Sequence, residues 1–478
     1  MLDRRAFLRR AASLGAGSMF APSLASLSNW SRIDETIART LRPNDNAGLG
    51  PLVTSVDCPE FQIPDSFRCI RISRSLGASA ANPNFIVPNA LDGMATFSLP
   101  NGDIRLIRNH EMNQPAARAV PLGNKPYDPK ASGGTTSLTV RLEGTGADRS
   151  VRVLDEYVSI GGTHVNCAGG RTPWESWLTC EETTAGPSSG FERPHGYIFE
   201  VPVAAKEAVD PVALTAMGRF VHEAVAVDPR DNYVYETEDM RWNAANEQSL
   251  PGAGFYRFVP RTPQRLAEGG QLQILAVRDR PRHNTVIGQT VGARLPAHWI
   301  NIEAPDPADA ERDPSAVFRE GLSKGAAIFD RLEGCFWADD SCYFVATSGG
   351  TARAGQVWRY VPESNDSGYI TLVFESPSRS VLDAPDNICV SPRGGIVICE
   401  DGSAEQYVRA LSTSGQLVNL ALAPLVTGEP SPREFAGCCF SPDGEVLFFN
   451  VQGSTTSYGT RPGTTYALWG PWTQAVGV

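Results

Sequence analysis

Carboxylates recur along this sequence at matching distances from turn residues, and that register is its first chemical signal. Glu223, Glu333 and Asp386 each stand five residues before Asp228, Ala338 and Ser391, and Ala436 holds the same place before Ser441. Cys180-Glu181-Glu182 and Cys399-Glu400-Asp401 lie equally far beyond Pro173 and Pro392. The stretch from Glu236 through Glu238 to Asp239 takes the corresponding place in another copy, and Asn109-His110-Glu111 closes an earlier one. Carboxylates aimed together at one poorly solvated axis repel by on the order of several kcal/mol. Bound multivalent cations remove that repulsion. Hard oxygen donors in this number suit calcium, and ferric iron also accepts them. Cys180 is the soft member, so the expectation is a mixed site that includes a transition metal. The expected ligands are Glu111, Cys180, Glu181, Glu182, Glu223, Glu238, Glu333, Asp386 and Glu400. With six histidines in the chain and no CxxC pair or HExxH helix, a structural zinc site, a zincin and a histidine-rich centre are all disfavoured. His110 and His222 read as hydrogen-bonded strand-end residues.

Elements that could hold such a register are visible as a repeat. Phe440-Ser441-Pro442-Asp443-Gly444 leading into Val446 to Asn450 matches Val390-Ser391-Pro392-Arg393-Gly394 leading into Ile396 to Glu400. Val227-Asp228-Pro229 to Glu236 is a third copy, Phe97 to Ile107 a looser one, and Arg171 to Cys180 with Trp337 to Val345 complete six. Each is an apolar strand, a turn of Asp, Asn, Gly and Pro, and a second apolar strand, which is hairpin chemistry. Runs such as Gly196 to Pro202, Gly254 to Pro260 and Gly355 to Pro362 read as outer strands closed by a proline that cannot donate to a ladder. The expected fold is all-β: a six-bladed β-propeller whose inner strands line a central channel, where radial repetition leaves few open edges. A sandwich of similar hairpins is the alternative. Arg261 to Ala327 is expected to form loops between blades, and no linker divides residues 26–478, expected to be one propeller domain.

Composition agrees with that architecture. Gly and Pro supply 81 of 478 residues, more turn chemistry than a helical enzyme needs. Hydrophobic residues at 41% and charged residues at 20% exclude a disordered chain. A net charge of −11 argues against a nucleic-acid surface and is compatible with cation sites. Residues 1–25 begin Asp3-Arg4-Arg5-Ala6-Phe7-Leu8 and end Ser23-Leu24-Ala25, the pattern of a twin-arginine signal with a small-residue cleavage site. They carry four arginines and one aspartate, so the mature chain keeps 38 basic and 52 acidic residues, a net charge of −14. No other segment has the apolar length to span a bilayer. The expectation is a periplasmic or secreted monomer, handled by the twin-arginine export machinery and free of the membrane once the signal is removed.

Longer motifs add a family. Asn166-Cys167-Ala168-Gly169-Gly170-Arg171-Thr172-Pro173-Trp174, followed by Trp177 to Glu182, resembles the signature of the PhoX alkaline phosphatases. Gly218 to Glu223, Arg331-Leu332-Glu333-Gly334 and the tail Pro462 to Trp472 do so too, and the similarity runs from about Asn109 to Trp472. The resemblance implies an exported six-bladed propeller whose channel holds a ferric pair with calcium and hydrolyses small-molecule phosphate esters. It assigns iron bridging to Cys180, metal ligation to Glu223 and Glu333, and a contact with the substrate phosphate to Arg331. The chain is shorter than well-known members, and Cys335, Cys389 and Cys399 lie near positions that should line the channel. Two readings stay open beside it: a calcium-dependent lactonase-like propeller, and a non-enzymatic propeller stapled by calcium. No Gly-x-Ser-x-Gly elbow supports serine hydrolase chemistry.

Overall fold

Asn46 and residues 49–478 are described in a computed structural model, apart from 114–119, 122–124, 365, 427–428, 430–431, 457–458 and 473–477. Six antiparallel hairpins organise the chain. Their inner strands are Leu91–Ser98, Asn166–Arg171, His222–Val227, Leu332–Ala338, Pro385–Val390 and Phe435–Phe440. Each pairs with the strand that follows it: Ile104–His110, Ser176–Glu181, Val234–Glu238, Ser341–Ala346, Ile396–Glu400 and Leu447–Val451. The inner strands neighbour one another in cyclic order, the last returning to the first. The expected β-propeller-like arrangement around a central axis is therefore what the structure shows.

The turns form where the sequence supplies left-handed residues and short acceptors. Ser441 N–H donates to Val446 O at 2.7 Å, and Gly444 closes the turn at φ +74°. Gly394 does the same at φ +98° in the matching turn. Apolar clusters fill the spaces between successive sheets. Leu178, Ile198, Val225 and Tyr256 lock the second to the third, and Tyr343, Val357, Ile388 and Ile398 lock the fourth to the fifth. Removing such side chains from water is the main force that holds the sheets in a ring.

The insertion from Arg261 to Ala327 is more ordered than the expected loops. It contains strands Gly270–Val277 and Arg294–Asn301 and the helix Ala316–Ser323. Arg294–Asn301 pairs on one side with Gly270–Val277 and on the other with Ser367–Glu375, so two neighbouring hairpin sheets fuse into one of nine strands. The alternation of buried Leu295 and Ala297 with exposed Arg294 and Pro296 is the strand signal that the loop reading missed. Among the described residues no helix is long and apolar enough to cross a membrane. All ten cysteines are buried free thiols.

Candidate active site

Every inner strand is interrupted near its start. The ladder slips between Leu91 and Met94, Asn166 and Gly169, His222 and Val225, Leu332 and Cys335, Pro385 and Ile388, and Ala436 and Cys439. A β-bulge bends the strand and re-aims the extra side chain. The residue at this point is Asp92, Cys167, Glu223, Glu333, Asp386 or Ala436 in turn, so a defect repeated six times makes a ring of five donors and one alanine. A second ring follows the paired strands: Glu111, Glu182, Asp239, Thr347, Asp401 and Gln452. Each of these donates its backbone N–H, at 2.8–3.0 Å, to the carbonyl of the residue that leads into the inner strand: Ala90, Val165, Val221, Arg331, Ala384 and Glu434 respectively. Four of those lead-in residues, Ala90, Val165, Arg331 and Ala384, hold left-handed φ of 50–52°. That conformation costs about 1–2 kcal/mol per non-glycine residue. The recurring hydrogen bond and the packed ring hold it in place.

Ligand atoms converge in three groups, each within 4.8 Å: Cys167, Glu182 and Glu223; Glu223, Glu333 and Asp386; Asp386, Asp401 and Glu434. Glu223 is fully buried and neither carboxylate oxygen has a hydrogen-bond partner; Asp92 Oδ1 also lacks one. Burial, followed by the charges of Glu333, Glu182 and Asp386, pushes the Glu223 carboxyl well above the usual range. Glu182, Glu333, Asp386, Asp92 and Glu434 are raised for the same two reasons, burial first and neighbouring carboxylates second. Glu111 is pushed up to about 7 and Asp401 to about 6, burial again leading. Buried carboxylates with bare oxygens and a shared repulsion are a donor set that fits multivalent cations.

Arg331 is the cation of the chamber. Its Nε and Nη2 donate to Asp239 at 2.8 and 2.7 Å, and Nη2 lies 2.6 Å from Glu333 Oε1. It occupies a lead-in position filled by alanine or valine in four of the other hairpins, and Glu434 is the second exception. Gln452 bridges two further acids, donating to Asp92 at 2.6 Å and Glu111 at 2.7 Å.

The structure brings together Glu111, Glu182, Glu223, Glu333, Asp386 and Arg331 from the expected set. Glu181, Glu238, Glu400 and Cys180 do not join them, and strand geometry explains why. Each stands within the paired strand, where successive side chains alternate faces. Glu181 accepts four bonds, from His164 N, His195 Nδ1, Gly196 N and Tyr197 N, at 2.7–3.2 Å. Glu238 accepts from Gly254 N and Tyr256 Oη. Glu400 is held by Arg409 and Asp383 N. Cys180 packs in the apolar cluster with Leu178 and Ile198. The thiol of the chamber is Cys167 instead, raised by burial and then by Asp92, Glu223 and Glu182.

Sequence reasoning missed Asp92, Cys167 and Glu434, and it placed Asp239 and Asp401 in the register without counting them among the ligands. The signal for Cys167 was available: it stands five residues before Thr172, the turn position that matches Asp228 and Ser391. His222 is the hydrogen-bonded residue expected, its Nε2 lying 3.2 Å from Gly218 O, and His110 bonds Asn89 O and Thr136 Oγ1.

Fold and site together define a β-propeller-like protein with a carboxylate-and-thiol chamber at one mouth of its axis. The family model described as alkaline phosphatase PhoX matches residues 48–454, and the chain belongs to that family. A solved structure of Pseudomonas fluorescens PhoX in complex with vanadate, a transition state analogue, is similar at a TM-score of 0.64 and 17% identity, covering 88% of this chain and 98% of that one. A gluconolactonase from Xanthomonas campestris reaches a TM-score of 0.42 at 14% identity over 88% of this chain and 98% of its own. Virginiamycin B lyase from Staphylococcus aureus reaches 0.33 at 12% identity, over 84% and 98%. The last two are too distant to argue from. No curated protein sequence matches this one.

Proposed function

We propose that this chain is a metal-dependent phosphomonoesterase acting on small-molecule phosphate esters, with an iron and calcium cluster in the acidic chamber. The observation that carries the reading is Glu223, whose two bare oxygens face Glu182, Glu333, Asp386 and Cys167 in a buried space. Glu223, Glu333, Asp386 and Glu182 would hold the cations, with Glu111, Asp401, Glu434 and Asp92 completing the oxygen donors. Cys167 supplies the soft donor that favours a transition metal over calcium alone. Bound cations of this kind polarise phosphoryl oxygens and lower the pKa of water.

The chain's own groups complete the site. Arg331 presents a planar fork to its two carboxylates, a geometry that equally fits the non-bridging oxygens of a phosphate. Asp239 and Glu333 orient that fork before substrate arrives, which reduces the entropy lost on binding. Gln452 donates to Asp92 and Glu111 and so fixes which of their oxygens remain open. Family membership and the vanadate complex of the Pseudomonas fluorescens relative support the reaction class. The Arg4-Arg5 pattern supports twin-arginine export to the periplasm or beyond, although residues 1–25 lie outside the described residues. We take the six hairpins as six blades of one domain spanning residues 26–478, acting as a monomer.

Elemental analysis of the protein exported by its own signal, paired with hydrolysis of a panel of phosphate monoesters and lactones, tests the reading. Iron with calcium and turnover of the phosphate esters is the expected result. A single calcium with lactone turnover would replace it with the lactonase, and calcium without turnover of either class would leave a stapled binding platform.

A further inference from the structure

The axis has a second chamber. At the mouth away from the acids, the far ends of all six inner strands and their turns enclose a cavity of about 420 Å³. Its wall is apolar and aromatic, with Met94, Val225, Phe336, Trp337, Ile388 and Phe440 among the side chains. That volume and that lining fall in the range of small-molecule sites, which bury an apolar body and fix it with a few polar groups.

A waist separates this cavity from the acids. Gly93, Ala168, Ala224, Gly334 and Gly437 surround a space of only about 30 Å³, room for one or two waters. The strands touch there: a Cβ on Gly93 would lie 2.6 Å from Ala168 Cα, and one on Gly334 would lie 2.6 Å from Asp386 O. The waist has room for no more than one or two waters, so the far cavity is a space separate from the acids.

One cation marks it. Among the described residues lining the cavity, Arg171 alone is basic. Its guanidinium stacks over Phe97 at 5.3 Å and has no hydrogen bond or ion pair with any described residue; Glu175 acts on it only through space. Arg171 is itself part of the cavity lining and is exposed at this mouth. Other arginines at this end are committed, as Arg230 is to Asp228 at 2.6 Å and Arg393 to Gly444 O at 2.8 Å. An unpaired fork above an apolar funnel is complementary to one class of molecule.

We propose that the far mouth of the axis is a second ligand site, which takes a small amphiphilic carboxylate whose chain or ring fills the funnel and whose head group pairs with Arg171. The site is independent of the phosphatase reading, because none of its residues belongs to the acid chamber.

The test uses the metal-replete full chain and octanoate as probe, followed by titration calorimetry and tryptophan fluorescence from Trp337. Octanoate is expected to bind with one-to-one stoichiometry, and octylammonium and acetate are not. Arg171→Gln should weaken octanoate at least about tenfold, the loss of a charge-assisted bond. Arg171→Lys should restore most of the affinity, and phosphate-ester turnover should be unchanged in both variants. Absence of saturable octanoate binding to the unmodified protein would overturn the proposal. So would equal affinity in Arg171→Gln that keeps the parent melting temperature, or competition between octanoate and inorganic phosphate, which would put the probe in the acid chamber.

Discussion

Arg331 and Asp239 face each other across two hairpins in a bidentate pair, with Nε to Oδ1 at 2.8 Å and Nη2 to Oδ2 at 2.7 Å. The pair ties the lead-in residue of the fourth inner strand to the ring residue that closes the third hairpin. Burial works against the guanidinium, but Glu333 and Asp239 outweigh it and hold its pKa above the ordinary value. It stays charged at every working pH.

Arg331→Ala is expected to lower kcat/KM for phosphate monoesters by about 10²-fold, the typical cost of deleting one charge-stabilising donor. Metal content should stay at the parent level, because the carboxylate donors remain. Steady-state kinetics with elemental analysis on the same preparation checks both halves. Full activity in Arg331→Ala would remove it from the substrate site.

The two thiols separate by role. Cys167→Ser should reduce bound iron while leaving calcium near its parent level, because it exchanges a soft donor for a hard one. Cys180→Ser should leave the metals alone and lower stability by about 1–3 kcal/mol, the cost of a hydroxyl among Leu178 and Ile198. Metal analysis and urea unfolding read the contrast. A loss of iron in Cys180→Ser alone would return the bridging role to the residue that the family motif first suggested.

Glu181 and Glu182 offer the same contrast one residue apart. Glu181→Gln removes the charge that His195 and three backbone amides share, and should cost about 1.5–3 kcal/mol of stability. Glu182→Gln should cost little stability and weaken cation binding. If Glu181→Gln were the variant that lost metal, the facing of this strand would be the reverse of that described.

Stability of the cation-free protein should fall as pH rises. Glu111 is raised from an ordinary value of 4.5 to about 7 and Asp401 from 3.8 to about 6. A carboxyl raised in the folded state contributes its stability in full below the unfolded value and loses it as pH climbs through the folded one. The loss therefore falls between about pH 4 and pH 7 and amounts to a few kcal/mol per buried group. Cations that need the ionised forms should reverse the slope. Melting scans from pH 5 to 8, with chelator and with calcium plus ferric iron, should diverge as pH increases. Parallel curves would mean that the acid chamber does not take the metals.

Much of this arrangement can be read from the chain. The turn motif that ends in Ser441-Pro442-Asp443-Gly444 fixes where each hairpin folds, and counting back five residues finds Glu223, Glu333 and Asp386. The same count applied to Thr172 reaches Cys167. What the chain hides is which member of an acid pair turns inward. Glu181-Glu182 and Glu400-Asp401 look alike in sequence, and only the end of the paired strand decides that the second residue enters the chamber. Glu434 is equally hidden, because it is itself a lead-in residue, placed by the hydrogen bond that its carbonyl accepts from Gln452 N. The strand Arg294–Asn301 shows a short alternation of its own, but its place between two sheets rests on pairing with Ser367–Glu375, about 70 residues away, which no local pattern reveals.

Arg68–Arg74, the strand that precedes all six hairpins, pairs with Thr464–Trp469, which follows them. Thr464–Trp469 also pairs with Leu447–Val451, so the sixth sheet is built from both sides of the hairpin series. That shared sheet works as a clasp: it backs the contact between Phe435–Phe440 and Leu91–Ser98, where the ring closes on itself. A substitution that loosens Arg68–Arg74 therefore acts on Asp92 and Glu434 through the seam between the first and last hairpins, far from either in sequence.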